Sequence, residues 1–409
     1  MKSTLIALTG GLLLATGLLA PAAAHEHAID LFSFDQTSGE DPNAGVITDA
    51  HGTIFGTNFD GGTGHSKNCA GVGCGTVFAQ YPPSGGHSWT LDVLYDFQGG
   101  QDGQFPSALL TLGPKGSVFG SSTNSSGAYG TVFQLLPPSN GNTTWTFQIL
   151  YAFTGGADGV LNTRSQLIWH RNALYGIAYG GSNSCGGNVG CGSVFQLTPP
   201  QSGTGPWTET TLYNFTGGSS SGIPTSIVGF DGQQALYVST GMGNGAVVQL
   251  APAGGTWNET VLTTFNGGKD GADPFNLVLA GDGTLYGLAK TTYYRGLAFQ
   301  LTPPGNGNTG WTRTNISRID EHGYGPNSLA AGPNGTLIGT IYGDPDFFAG
   351  AVFQLTPPSG NGDWTYSELW SFNHGPDRNP LNAVTGRDGH LFGVLSGGDS
   401  DDGSLFELK

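Results

Sequence analysis

Positive charge is scarce in this chain. Lys and Arg together number 13 of 409 residues against 29 Asp plus Glu, for a formal net charge of -16. Phosphate backbones and anionic bilayers are held by clustered cations, so no nucleic acid and no acidic membrane surface is expected as a partner. Long apolar runs are also missing beyond the first 24 residues. With no run of 18 apolar residues there, no membrane span is expected in the mature chain. No segment sustains a helical period, which argues against an α-helical architecture. Neither a G-K-[ST] phosphate loop nor HExxH occurs. "GSSSG" at Gly218 to Gly222 matches G-x-S-x-G, but it lies among tight turns and Ser220 has no nominated His, and 72 glycines make such matches common.

What is present begins with a leader. Lys2, the apolar stretch Leu5 to Leu19 and Ala22-Ala23-Ala24 have the form of a secretory signal, which places the mature protein outside the cytoplasm, secreted or periplasmic. Gly 72 and Pro 23 alone would suggest disorder, but 37% hydrophobic and 11% aromatic residues point to a glycine-punctuated β protein.

Three elements recur together. Gly-x-(Val/Ala/Leu)-(Phe/Val) starts at Gly75, Gly130, Gly192, Gly245, Gly296, Gly350 and Gly403, at spacings of 55, 62, 53, 51, 54 and 53. Each copy is preceded by an element near G-x-L-Y-G, as in "GTIFG" from Gly52 and "GTLYG" from Gly283. "WTxxxLYxF" occurs six times, from Trp89, Trp145, Trp207, Trp257, Trp311 and Trp364. The seventh is split: "AIDLFSF" at Ala28 to Phe34 matches its second half, and the last repeat stops after "GSLFELK". Four short strands per repeat, seven repeats and one divided copy predict an all-β fold, a seven-bladed β-propeller. It occupies residues 25–409 after the signal 1–24, with four antiparallel strands per blade and the N-terminal strand completing the last one. A ring leaves few sheet edges open to aggregation. In "WTFQILYAF" the alternation predicts Trp145, Phe147, Ile149, Tyr151 and Phe153 on one face and Leu150 on the other.

The combination "G-x-L-Y-G … G-x-V-F-Q-L-T-P-P … W-T-x-x-x-L-Y-x-F-x-G-G-x-D-G" resembles the tandem repeat of the choice-of-anchor GloVer-containing proteins, secreted or surface proteins of bacteria without an established activity. Blades four to six depart from it: Val238 replaces the second Gly, Val248 replaces Phe, and "ISRI" replaces "LYxF". The resemblance implies a C-terminal anchor in many members. The chain stops at "SLFELK", so a soluble, exported protein is expected. A monomer is also expected.

In such a ring, the loops after "WTxxxLYxF" and after "LYG" share one face. That face carries the longer loops and the candidate chemistry. Cys69 with Cys74 and Cys185 with Cys191 are expected as local disulfides, with a four-Cys zinc site as the alternative. "GGxDG" places Asp102, Asp158 and Asp270 at equivalent positions, either as a ring of carboxylates or as turn residues accepting backbone N–H bonds. No organic cofactor is expected. A structural calcium at Asp399, Asp401 and Asp402 is the single metal suggested, because "DSDDG" resembles part of a calcium loop. Breaks in the repeat supply the remaining candidates. His322, Asp320, Tyr294, Arg295, His374 and Arg378 are the candidate catalytic groups, and Arg164, Asp344 and Asp346 the candidate binding groups. A His or Tyr base beside an Arg suits a lyase acting on uronic acids, and paired carboxylates such as Asp320 with Asp344 suit glycoside hydrolysis. The leading expectation is a binding module for an extracellular polysaccharide or protein, with a carbohydrate-active enzyme as the alternative.

Overall fold

The computed structural model describes residues 28–409 apart from 65–66, 68, 70, 86–87, 124–128, 140–142, 162–164, 181–184, 186–189, 203–204, 218–221, 292–294, 306–309, 320–324, 344–348, 361, 373–377 and 398–401. Seven small antiparallel sheets stand in a ring as a seven-bladed β-propeller. Blade 1 shows the plan: strands Ile47–Thr48, Ile54–Asn58, Thr76–Tyr81 and Thr90–Asp96 run from the inside outward in chain order. Blade 3 differs in that two pieces, Val160–Leu161 and Ile168–His170, both pair with its second strand. The last blade is made of Arg378–Thr385, Leu391–Gly397, Ser404–Leu408 and, outermost, Ala28–Ser33 from the other end of the chain. We call the face with the second-to-third-strand loops and the inter-blade connections the upper face, and the face with the other turns the lower face.

Each repeat element has a packing role. The second Gly of "LYG" faces the Phe of the next strand: a Cβ on Gly176 would come within 2.5 Å of the Phe195 ring, and Gly120 and Gly339 stand the same way against Phe133 and Phe353. Blade 4 exchanges both members, pairing Val238 with Val248. The two departures from the repeat are one compensated change, because a methyl-bearing residue fits where the ring is removed. In blades 1, 2, 3, 5 and 6 the Trp before the outer strand packs on the aromatic of the "LYG" element in the preceding blade, as in Trp145 on Phe55 (6.1 Å between centroids), Trp311 on Tyr237 (5.7 Å) and, across the junction of the chain ends, Trp89 on Phe392 (5.5 Å).

The buried residues fall into seven clusters, one at each blade junction. The junction of blades 7 and 1 is no weaker in kind than the others, since Phe34, Val46, Ile54 and Phe78 pack there against Phe392, Val394 and Leu405. Gly403 abuts Pro42 at this junction as Gly192 (φ 85°) abuts Pro224 and Gly245 abuts Pro274. Residues adjacent to a proline ring leave no room for a side chain, and positive φ favours glycine in any case.

The expected alternation in "WTFQILYAF" is corrected in one respect. Ile149 is exposed at 37% and Leu150 buried at 4%. The outer strand carries a β-bulge here, with Phe133 opposite Ile149 and Val132 opposite Tyr151, so Leu150 is the extra residue and turns inward. The same shift recurs at the matching place in the closing strand, between Asp30 and Phe32.

Candidate functional site

The upper face at the chain-end junction gathers carboxylates from three loops. Backbone bonds hold them together: Glu40 and Asp60 exchange N–H···O bonds of 3.0 and 3.1 Å, Asp41 N–H donates to the Asp402 carbonyl (3.0 Å), and Phe59 N–H donates to the Asp41 carbonyl (2.9 Å). Four acidic residues therefore crowd a partly buried place. Burial, then the charges of Asp41 and Glu40, push the Asp60 carboxyl up to about 6. Burial, then Asp402 and Asp35, raise Glu40, and burial raises Asp41. Asp35 moves the other way, because its carboxylate accepts the Ser38 N–H (2.7 Å) and hydroxyl (2.8 Å) and the Thr37 N–H (3.0 Å). A carboxyl that holds its proton to about pH 6 can donate a hydrogen bond to a bound hydroxyl, or take part in proton transfer.

The pH consequence has a definite sign. Asp60 titrates near 3.8 when unfolded and near 6 when folded, so between those values the folded chain binds more protons and its stability falls as pH rises. Asp60→Asn should melt higher than wild type above pH 6 and equally near pH 3.5, about where both forms are neutral, in thermal scans across pH.

Both cysteine pairs brace upper-face loops. Cys69–Cys74 (Cα–Cα 5.2 Å) and Cys185–Cys191 (4.9 Å) are disulfides, so all four thiols are committed and the four-Cys zinc alternative falls. Phe59 and Phe105 stack beside the first disulfide's loop, with centroids 4.8 Å apart. Phe105 N–H donates to the Cys74 carbonyl at 2.8 Å.

The "GGxDG" aspartates are turn residues. Asp102 accepts from Gln98 N–H (2.7 Å), Gly100 N–H (3.0 Å) and the Tyr95 hydroxyl (3.0 Å). Asp158 accepts from Thr154 N–H (2.8 Å), the Thr154 hydroxyl (2.7 Å) and the Tyr151 hydroxyl (3.1 Å), and burial together with Asp158 pushes the Tyr151 phenol up to about 12. Asp270 accepts from Asn266 N–H (2.9 Å) and pairs with Arg313, whose guanidinium lies 4.4 Å from the centre of the Phe265 ring. Their lone pairs are taken by the blade itself.

Most candidates chosen for breaking the repeat lie outside the described residues: Asp320, His322, Tyr294, His374, Arg164, Asp344, Asp346, Asp399 and Asp401. Arg295 is exposed on the upper face, and its carbonyl accepts the Thr291 N–H at 2.7 Å. Arg378 opens the innermost strand of blade 7, paired with Gly397. Of the suggested calcium loop only Asp402 is described, and it joins the carboxylate group above. Glu40 and Asp60 were not singled out by the repeat, because their meeting depends on how the ring closes.

Exposed aromatic rings complete the face. Tyr129 (39% exposed), Tyr179 (38%) and Tyr342 (48%) all stand at second-to-third-strand loops, in blades 2, 3 and 6. The lower face carries open grooves among the described residues. One of about 470 Å³ runs past Tyr81, Asp92 and Trp145, and one of about 600 Å³ past Arg171 and Gln196.

Seven blades written in a tandem repeat and closed by a strand from the opposite chain end make this a repeat-built β-propeller. Residues 226–409 match the model of the Gloeobacter/Verrucomicrobia repeat, which bears out the resemblance read from the motifs. Among solved structures, the extracellular domain of a protein described as a hybrid two-component system from B. thetaiotaomicron is similar over 92% of this chain and 39% of that one, at 12% identity and a TM-score of 0.52. A protein described as a 6-phosphogluconolactonase from Bacteroides uniformis ATCC 8492 is similar over 78% and 84%, at 14% identity and a TM-score of 0.49. A variant of NanB sialidase from Streptococcus pneumoniae is similar over 92% and 70%, at 11% identity and a TM-score of 0.43. Identities this low speak to the fold alone. No curated protein matches the chain by sequence.

Proposed function

We propose that this is an exported propeller that binds an extracellular glycan on its upper face. The observation that supports it is the distribution of aromatic rings. Among the described residues, the exposed Tyr, Phe and Trp are Tyr129, Tyr179 and Tyr342, all on that face, whereas the repeat's tryptophans are spent between blades. A tyrosine offers an apolar ring for a sugar's C–H face and a hydroxyl for hydrogen bonding. The carboxylates Glu40, Asp60 and Asp402 on the same face accept hydroxyl donors and repel carboxylate-bearing chains, so a neutral polysaccharide fits better than a uronic one. The leader at Met1 to Ala24, the disulfides and the lack of any helix long and apolar enough to cross a membrane among the described residues are consistent with export.

The test is affinity electrophoresis of the chain without Met1–Ala24 through neutral and uronic polysaccharides, with mass spectrometry of soluble products after a day. Retardation by a neutral polysaccharide is expected, weakened about tenfold in a Tyr129→Ala/Tyr342→Ala variant, the loss of about 1.4 kcal/mol of binding. Unchanged retardation in that variant would place the ligand elsewhere, such as the groove at Tyr81 and Trp145. Binding to no polysaccharide would turn the search to a protein ligand. A second reading, a carbohydrate-active enzyme, draws support from one observation, the Asp60 carboxyl held at about 6 beside Asp41 and Glu40. New oligosaccharides in the panel would select it.

A further inference from the structure

On the lower face, blade 7 breaks the repeat twice in one place. Glu407 stands where the third strands of blades 2 to 6 carry Gln134, Gln196, Gln249, Gln300 and Gln354 and that of blade 1 carries Ala79. His390 stands where the "GxLYG" elements carry Thr53, Ser117, Ala173, Ala235, Thr284 and Thr336. In the other blades the Gln amide is satisfied locally, as in Gln196 to the Tyr175 hydroxyl (2.7 Å) and Gln354 to the Thr356 hydroxyl (2.9 Å). Blade 7 has Phe392 opposite Glu407 in place of that tyrosine, so the hydroxyl is gone and a carboxylate has replaced the amide. Neither change is required by the blade, yet they meet: His390 Nδ1 lies 2.7 Å from Glu407 Oε1.

Asp388 supplies a third group. One of its oxygens accepts the His390 N–H at 3.1 Å, the turn role that Asp49, Asp231 and Asp282 play in their blades. The other, Oδ2, lies 3.2 Å from His390 Nδ1, and one donor atom from each of the three residues falls within 4.8 Å of the others. Glu407 is buried at 3% exposure, and its Oε2 has Lys409 Nζ at 3.2 Å. His390 is half-buried and Asp388 exposed, so the cluster opens to solvent on one side.

From this geometry we propose a divalent transition-metal site, of the zinc class, held by His390 Nδ1, Glu407 Oε1 and Asp388 Oδ2. One imidazole nitrogen with two carboxylate oxygens is a donor set that borderline metals take and that calcium, which wants six to eight oxygens, does not. Three protein ligands and an open side leave a coordination position for water. The site joins the first-to-second-strand turn of blade 7 to its third strand, which pairs directly with Ala28–Ser33 through Ile29 opposite Glu407. A metal there clamps the strands on which the chain-end strand closes. Without a metal, His390 Nδ1 and Glu407 Oε1 form a hydrogen bond of 2.7 Å.

The test is isothermal titration of zinc into the untagged, chelator-stripped chain, repeated with a variant that restores the repeat residues, His390→Thr with Glu407→Gln. Wild type is expected to bind one equivalent and to melt at higher temperature with zinc, and cobalt is expected to give a d–d absorption band on binding. The restored variant should fold and show no zinc binding at this site, because two of the three ligands are gone. Should it fail to fold, Asp388→Asn, which keeps the turn acceptor but removes a charged ligand, should weaken zinc by more than about tenfold, the least that losing even an outer-shell partner costs. No zinc binding by wild type, or equal binding by wild type and the folded variants, would overturn the proposal. The latter result would place the metal at other groups, such as the upper-face carboxylates.

Discussion

Gly176→Val should destabilise the chain by about 3 kcal/mol, a large single-site effect, because the added methyls meet the Phe195 ring within a filled blade. Phe195→Val alone should also cost about 3 kcal/mol, for the opposite reason that it leaves a cavity. The double variant should cost well under the sum, since blade 4 already runs with Val238 opposite Val248. Denaturant unfolding of the four proteins gives the coupling directly. Additive losses would mean that the Gly–Phe pairing is not what recurs in the repeat, and that the blade 4 exchange is accidental.

The second large effect concerns ring closure. Removing the segment up to Phe34 takes away a five-position strand pairing with Ser404–Leu408 and the rings of Phe32 and Phe34 from the seam between blades 7 and 1. At about 2 kcal/mol for each buried large side chain, with an open sheet edge in addition, the loss is comparable to a domain's whole stability. The shortened chain should aggregate or unfold. The same segment placed after Lys409 should rescue it. Ala28 lies opposite Leu408, so a short turn like the one between Tyr81 and Thr90 can make that connection. Size-exclusion and thermal scans of both forms decide it; a shortened chain that melts like wild type would show that the seventh blade does not need its fourth strand.

The fold was legible because the repeat is internally redundant. Seven copies of Gly-x-Val-Phe set the blade count, and the half motif at Ala28 to Phe34 revealed how the ring closes. Two things escaped a strand-by-strand reading. The bulge at Leu150 inverts the alternation midway, and periodicity alone carries no sign of an inserted residue. The exchange at Val238 and Val248 appeared as two separate departures until the register placed them opposite each other.

The candidate site was less legible, for a physical reason. Glu40 and Asp60 lie in two loops near one end of the chain and Asp402 near the other, and they meet because backbone bonds tie the closing junction. The "GGxDG" aspartates were visible at once, yet they serve their own turns, since recurrence at three equivalent loops marks what those turns require. His390 and Glu407 were open to discovery by asking where Gln becomes Glu. Aligning the blades against one another is enough to find that substitution, and the structure supplies its partner.

The central functional claim is that a polysaccharide binds the upper face and not the proline-bearing turns of the lower face. Hydrogen–deuterium exchange of the chain with and without a polysaccharide that retards it tests this most directly. The account predicts protection in peptides carrying Tyr129, Tyr179 and Tyr342, with those carrying Pro82, Pro137 and Pro199 unchanged. Protection confined to the proline-bearing peptides would contradict it and move the binding site to the opposite face of the ring.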